Sequence, residues 1–314
     1  MSPELIDATV IVVSYDKLPY TRLCLEGLLQ CSPRPAQIVV VDNGSHDGSM
    51  KYLMEEFPPQ CRTKSVDCVL LSNDTNRGAC TARNQALEKA TGNYLAFADN
   101  DLAVRSGDWL AVLARRLESR AEIGIVGPQL VYPFAPYDIE CAGVALSPSG
   151  RVQYRGRGEP RCGNAASGAS GAAPWCQAGP VQCLISACWL MRRAVYEQVG
   201  PLDEVFNPAQ FEDFDFCYRA RQAGWEVWYE PAAEMYHFEN TTTAGSVDMN
   251  FRYVTIRNGL EFKRRWLTAI AQEGGPSDEE CRWRDLPTHP LEETGPPPLR
   301  ESRKASAEGG DGHF

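Results

Sequence analysis

The chain has 314 residues, 43% hydrophobic and 23% charged, which is ordinary globular composition and room for one large α/β domain or two small ones. A formal net charge of -10 argues against broad nucleic-acid binding, which needs a basic face, but not against an anionic substrate held through a metal. No apolar run reaches about 18 residues, so no transmembrane helix is expected, and the start Met1–Asp7 has neither the basic opening nor the apolar core of a secretory signal.

The expected compartment is therefore the cytoplasm. The 12 cysteines are scattered, and Cys24, Cys68 and Cys188 fall in apolar segments. The denser group Cys162, Cys176, Cys183 and Cys188 has no Cys-x-x-Cys spacing, so inert buried thiols are expected in preference to a zinc site.

In chain order, Ala8–Val13 is a continuous β-branched run, the pattern of a buried parallel strand. Tyr20, Leu23, Cys24, Leu28 and Leu29 follow at helical spacing. Gln37–Val41 predicts a second strand that ends in Asp42-Asn43-Gly44-Ser45, followed by an amphipathic segment with Met50, Leu53, Met54 and Phe57. Cys68–Leu71 is a third strand, a helix opens at Asn76-Arg77-Gly78 and stops at Thr91-Gly92, and Tyr94–Ala98 is a fourth strand. This alternation implies a mostly parallel sheet with right-handed crossovers.

The second half changes character. Trp109–Leu117 is predicted helical, Ile123–Val126 a strand, and the alternating stretch Ile139–Tyr154 an antiparallel hairpin or strands. Residues 155–180 are rich in Gly, Ala, Ser and Pro and are expected to form a mobile loop. The apolar run Val181–Met191, a short helix Arg192–Val199, a helix Asp213–Ala223 and a strand Trp225–Tyr229 leading toward His237 come next. Phe251–Ile270 is a basic amphipathic helix, and the Pro, Glu and Gly content of residues 271–314 predicts a disordered tail.

Two acidic clusters carry the chemistry. Asp99-Asn100-Asp101 closes the fourth strand, at the sheet edge where open α/β folds bind ligands. Carboxylates gathered there without a neighbouring Lys or Arg repel one another and call for a cation. His237, one of 4 histidines, could complete such a site, and carboxylate oxygen with one imidazole suits Mn²⁺ or Mg²⁺. The cluster Glu212-Asp213 opens a helix, whose N-terminus favours the ionised carboxylate that a general base needs. Helix capping and an ion pair from Asp215 to Arg219 account for the same residues structurally. Asp42 could accept from the ring N–H of a pyrimidine, with Ser14 and Tyr15 framing the base and Arg77 approaching the nucleotide.

Taken together, these residues resemble the inverting, metal-dependent glycosyltransferases of family two, which have the GT-A fold. The shared landmarks are Val10–Tyr15, Val40–Ser45, Asn76–Asn84, Phe97–Asp101, Gly200–Glu204, Phe211–Arg219 and Met235–His237, and the match runs from about Thr9 to Trp266. The resemblance implies a GT-A domain over residues 1–270, with a nucleotide-binding half near 8–101 and an acceptor and catalytic half near 102–270. It implies that Asp42 contacts a uracil or thymine base. Asp99, Asn100 and Asp101 match the Asp-x-Asp motif that touches ribose, metal and diphosphate, His237 a metal ligand, and Asp213, beside Glu212, the catalytic base. The implied reaction moves one sugar, with inversion, from a UDP- or dTDP-sugar to a glycan, lipid-linked, peptide or small-molecule acceptor.

Glu261–Trp266 lacks the glutamine of the Gln-x-x-Arg-Trp motif of processive synthases, which argues against processive synthesis. A nucleotidyltransferase would want a Gly-rich basic loop after the first strand, and Ser14-Tyr15-Asp16-Lys17 supplies none. An inactive sugar-nucleotide-binding or scaffold module is the non-enzymatic alternative, and the intact acidic residues argue against it. The 251–270 helix leaves two arrangements open: peripheral contact with the inner membrane face, or packing on the domain with a solvated basic face, which is commoner.

Overall fold

The computed structural model describes residues 4–161, 173–239, 241 and 250–299. Strand β1 (Leu5–Ser14) leads through helix α1 (Leu18–Gln30) to β2 (Arg34–Asp42). A helical stretch follows, built from α2 (Ser49–Lys51), a π-helical turn (Tyr52–Glu56) and α3 (Phe57–Thr63). Next come β3 (Asp67–Ser72), α4 (Ala79–Leu87), β4 (Tyr94–Asp99), β5 (Leu102–Val104), α5 (Trp109–Ser119) and β6 (Ile123–Val131). The second half contains β7 (Ile139–Cys141), β8 (Val144–Leu146), β9 (Val152–Tyr154), β10 (Gly179–Pro180), β11 (Cys188–Arg192) and α6 (Arg193–Val199). It continues with α7 (Glu212–Gln222), β12 (Glu226–His237), α8 (Phe251–Glu273) and α9 (Leu291–Thr294).

Ten strands form one sheet among the described residues, along the order β10-β12-β6-β11-β4-β1-β2-β3, with β5 on β12 and β7 on β6. The β1–β2, β2–β3, β1–β4 and β6–β12 pairs are parallel, whereas β11 runs antiparallel to both β4 and β6. Strands β3, β2, β1, β4, β6 and β12 thus share one direction, giving the mixed, mostly parallel α/β sheet that the alternation predicts. The alternating stretch from Ile139 forms β7 and the antiparallel β8–β9 hairpin.

Apolar strands covered on both faces explain the core. Val10, Val12, Ile38, Val40, Leu95 and Phe97 are all buried, as expected where helices cover a parallel sheet. Polar groups inside are paired: the Thr9 hydroxyl donates to Gln37 Oε1 at 2.8 Å, and Gln37 Nε2 donates to Asp67 at 2.8 Å. Register aligns the functional edge, setting Ser14 opposite Asp42 and Val13 opposite Asp99. Gly44 turns the chain there at φ +86°, and a Cβ would come within 2.8 Å of the Thr75 backbone.

Two expectations about loops change. Residues 271–299, expected within a disordered tail, lie along the domain instead. The Ser147 and Ser149 hydroxyls donate to Asp278 at 2.6 and 2.7 Å, Arg157 Nε donates to the Arg284 carbonyl at 3.0 Å, and the Leu291 amide donates to the Tyr20 hydroxyl at 2.9 Å. Apolar contacts hold it as well: Trp283 packs edge-on against Tyr154 with ring centroids 5.1 Å apart, and Cys281 is buried. Within the predicted 155–180 loop, Arg157 is buried and both ends carry contacts, and residues 162–172 lie outside the described residues. Among the described residues ten cysteines are free thiols, nine of them buried, as expected, whereas Cys176 is disulfide-bonded.

Candidate active site

A cleft of about 490 Å³ opens at the carboxyl edge of β1 and β4. Asp99, Asp101, His237, Glu212 and Asp213 all line it, with Asn100 and Tyr15. One potential ligand atom each from Asp99, Asp101 and His237 lies within 4.8 Å of the others. The β4–β5 junction supplies both aspartates, and β12, paired through His237 to Leu102 in β5, delivers the imidazole. The Phe238 amide donates to the Asp101 carbonyl at 3.1 Å, which fixes the end of β12 against the acidic turn.

The imidazole is oriented from behind. His237 Nδ1 lies 2.9 and 3.0 Å from the two oxygens of buried Glu140, and Nε2 lies 3.3 Å from Asp101 Oδ1. Burial pushes the His237 pKa down, but Glu140 and then Asp101 outweigh it and hold the ring well above the usual histidine range. With Nδ1–H given to Glu140, Nε2 would meet a cation on giving up the proton it shares with Asp101, the arrangement in which metal-binding histidines are commonly fixed. Two carboxylates and a carboxylate-backed imidazole fit a divalent ion such as Mn²⁺ or Mg²⁺.

Arg83 was not anticipated. From α4 its guanidinium donates to Asp99 Oδ1 at 2.5 Å, to Glu212 Oε1 at 2.9 Å and to the Ser186 hydroxyl at 2.8 Å. The premise that no basic side chain neighbours the acids is therefore corrected: Arg83 neutralises one oxygen of Asp99 and ties it to Glu212. Asp101, on the far side from this pairing, meets only the imidazole among its side-chain ion pairs.

Asp213 occupies the first turn of α7. Its Oδ2 accepts from the Ser186 amide at 3.1 Å and its Oδ1 from the Phe214 amide at 2.9 Å. Burial, and next the Glu212 carboxylate, raise its pKa to about 8. The expectation that the helix N-terminus keeps this carboxylate ionised is thus reversed, because desolvation exceeds the helix-end effect. The preceding residues Gln210 and Phe211 hold φ of 80° and 71°, a costly conformation for bulky side chains that aims Glu212 and Asp213 into the cleft.

The remaining sequence-predicted residues divide. Asp42 is buried and outside the cleft lining; Oδ2 accepts from the Ser45 amide at 3.1 Å, while Oδ1 is buried with no donor among the described residues. Its neighbour Asn43 lines the cleft. Ser14 does not: its hydroxyl lies 3.0 Å from Thr21 Oγ1, which in turn accepts from Asn100 Nδ2 at 3.0 Å. Arg77 is exposed and also outside the lining; its amide donates to Asn43 Oδ1 at 3.1 Å.

Comparison with known proteins follows the same lines. The family model described as glycosyl transferase family 2 matches residues 9–200. An uncharacterized protein of Sinorhizobium fredii is 26% identical over 265 residues, covering 83% of this chain but only 27% of its own length. The chain therefore spans about a quarter of that relative. The N-acetylglucosaminyl-diphospho-decaprenol L-rhamnosyltransferase of Mycobacterium tuberculosis is 27% identical over 262 residues, covering 74% of this chain and 76% of the relative. Among solved structures, GalNAc-T7 with UDP, GalNAc and Mn²⁺ superposes with a TM-score of 0.58 at 16% identity, over 73% of this chain and 43% of that one. The mannosyltransferase PcManGT from Pyrobaculum calidifontis, in complex with GDP-Man and Mn²⁺, gives 0.52 at 18% identity, over 85% and 73%. At these identities the structural likeness is one of fold.

Proposed function

Because the chain belongs to glycosyl transferase family 2, we propose that it moves a single sugar, with inversion, from a UDP- or dTDP-sugar to an acceptor hydroxyl or amine. The acceptor would be a glycan, a lipid-linked molecule, a peptide or a small metabolite. The observation that carries this reading is the convergence of Asp99, Asp101 and His237 in one cleft with Asp213. Residues near 8–101 would bind the nucleotide and residues near 102–270 the acceptor.

The chemistry assigns each group a part. The buried, unpaired Oδ1 of Asp42 suits acceptance from the ring N–H of a pyrimidine base. Asp99, Asp101 and His237 would hold a divalent cation, which supplies positive charge against the diphosphate leaving group. Glu140 keeps the His237 ring in the required orientation. Arg83 holds Asp99 and Glu212 at fixed separation. Asp213, once ionised, takes the acceptor proton as the acceptor oxygen or nitrogen attacks the anomeric carbon. The diphosphate departs from the opposite face, so one displacement inverts the configuration.

UDP binding measured by calorimetry with and without Mn²⁺ tests the proposal. Asp101→Ala should remove the metal dependence of nucleotide binding. Asp213→Asn should keep that binding but lower nucleotide release from UDP- and dTDP-sugars by about 10²–10⁴-fold, the usual contribution of a general base. Near-normal turnover in Asp213→Asn would sink the base assignment.

A further inference from the structure

Helix α8 carries two apolar faces. Val254, Asn258, Phe262 and Ile270 are buried against the domain. On the other side Tyr253, Ile256, Leu260 and Leu267 are 63%, 55%, 65% and 40% exposed. At about 100° per residue these four fall within roughly 60° of arc, opposite the packed face. The stripe runs about 20 Å along the helix, and half of the large exposed apolar side chains among the described residues belong to it.

Charge flanks the stripe on both sides. The same wheel places Arg252 and Lys263 along one border and Arg257 and Arg264 along the other. Arg257 also donates to the Asn207 carbonyl, and Arg264 pairs with Glu261 at 2.7 Å while remaining solvent-exposed. Over Phe251–Glu273 five Arg and Lys oppose two Glu, in a chain whose formal net charge is -10. An apolar stripe bordered by basic residues is the pattern of a helix lying in a lipid interface. Phe251 and Thr255 on the first turns of α8 line the cleft from the side of the helix opposite the stripe.

We infer that the outer face of α8 rests on an anionic lipid surface. The docking surface does not depend on the transferase reading above. Tyr253, Ile256, Leu260 and Leu267 occupy the acyl boundary, and the bordering Arg and Lys meet the anionic head groups.

Flotation of the full chain with vesicles of 70% phosphatidylcholine and 30% phosphatidylglycerol, in roughly the proportions that present an anionic surface, is the test. The chain should bind these at least tenfold more tightly than pure phosphatidylcholine vesicles, and more weakly as salt rises and screens the charge. The double substitution Ile256→Glu, Leu260→Glu should weaken flotation at least tenfold, while melting temperature and Mn²⁺-dependent UDP binding stay as in the parent. No partition into either vesicle would overturn the inference. So would a dimer in light scattering that the double substitution dissolves, which would assign the stripe to a second copy. Flotation only after removal of residues 300–314 would overturn it too, in favour of that segment. Loss of metal-dependent UDP binding in the parent chain would instead count against the transferase reading alone.

Discussion

Asp213 accepts two backbone amide hydrogen bonds, which favour its ionised form, yet burial and the Glu212 carboxylate outweigh them and leave the pKa at about 8. A base must be unprotonated to accept a proton, so in the proposed role Asp213 would stand mostly protonated, and the unliganded chain mostly inactive, at neutral pH. Measured kcat/KM should therefore climb with pH and level off above about 8, and a flat profile between pH 6 and 9 would remove Asp213 from that role. Arg83 and Glu140 show what single residues hide. Both stand in segments singled out from the sequence, Asn76–Asn84 and the alternating Ile139–Tyr154, and neither was marked as functional. An Arg on a helix is ordinarily solvated, and a Glu in an alternating strand ordinarily faces water. Only burial against Asp99, Glu212 and His237 turns them into parts of the site. The local signal available was weak: Glu140 stands between the apolar Ile139 and Cys141 in a strand whose neighbours are all buried.

At the scale of elements, the loop before α7 is held open by its neighbour helix. Asn258 on α8 donates through Nδ2 to the carbonyls of Phe206, Ala209 and Gln210 at 2.6, 2.8 and 3.1 Å. The left-handed Phe211 then packs edge-on against Phe214, with ring centroids 5.6 Å apart. Asp215 on α7 accepts from Trp266 Nε1 at 2.9 Å and pairs with Arg265 at 3.1 Å and Arg219 at 2.8 Å. The Arg265-Trp266 dipeptide thus fastens α8 to the helix that carries Asp213. Asn258→Leu fills similar volume but leaves loop carbonyls without a donor, so it should cost about 1–3 kcal/mol of stability. Melting should show that loss, and turnover should fall while Mn²⁺-dependent UDP affinity holds; unchanged turnover would deny the clamp a part in presenting Asp213. Helices and long strands were legible because their apolar periods extend over many residues. Strand β5 spans three residues and carries no such period, and the apolar run Val181–Met191 yields a strand only from Cys188 because Ile185, Ser186 and Ala187 line the cleft.

For the molecule as a whole, the site joins the first half of the chain, through Arg83, Asp99 and Asp101, to the second, through Glu140, Glu212, Asp213 and His237. A ligand that bridges them binds the folded chain alone. UDP with Mn²⁺ at about 100 times Kd should therefore add about 2.7 kcal/mol of stability. Thermal melting should rise with both present and return toward the free value on chelation; no shift at saturating nucleotide would argue that the cleft is not a donor site. Among the described residues no helix is long and apolar enough to cross a membrane. By itself the sequence determined the α/β class, the strand ends at which Asp42 and Asp99 stand, and the acids and histidine to watch, since hydrophobic period and residue type are local properties of the chain. Tertiary structure alone decided that Arg83 and Glu140 complete the cluster, that Ser14 turns to Thr21, that burial beside Glu212 raises the Asp213 pKa, and that residues 271–299 lie on the domain. These depend on burial and on contacts between residues distant in sequence, and neither quantity exists until the chain is folded.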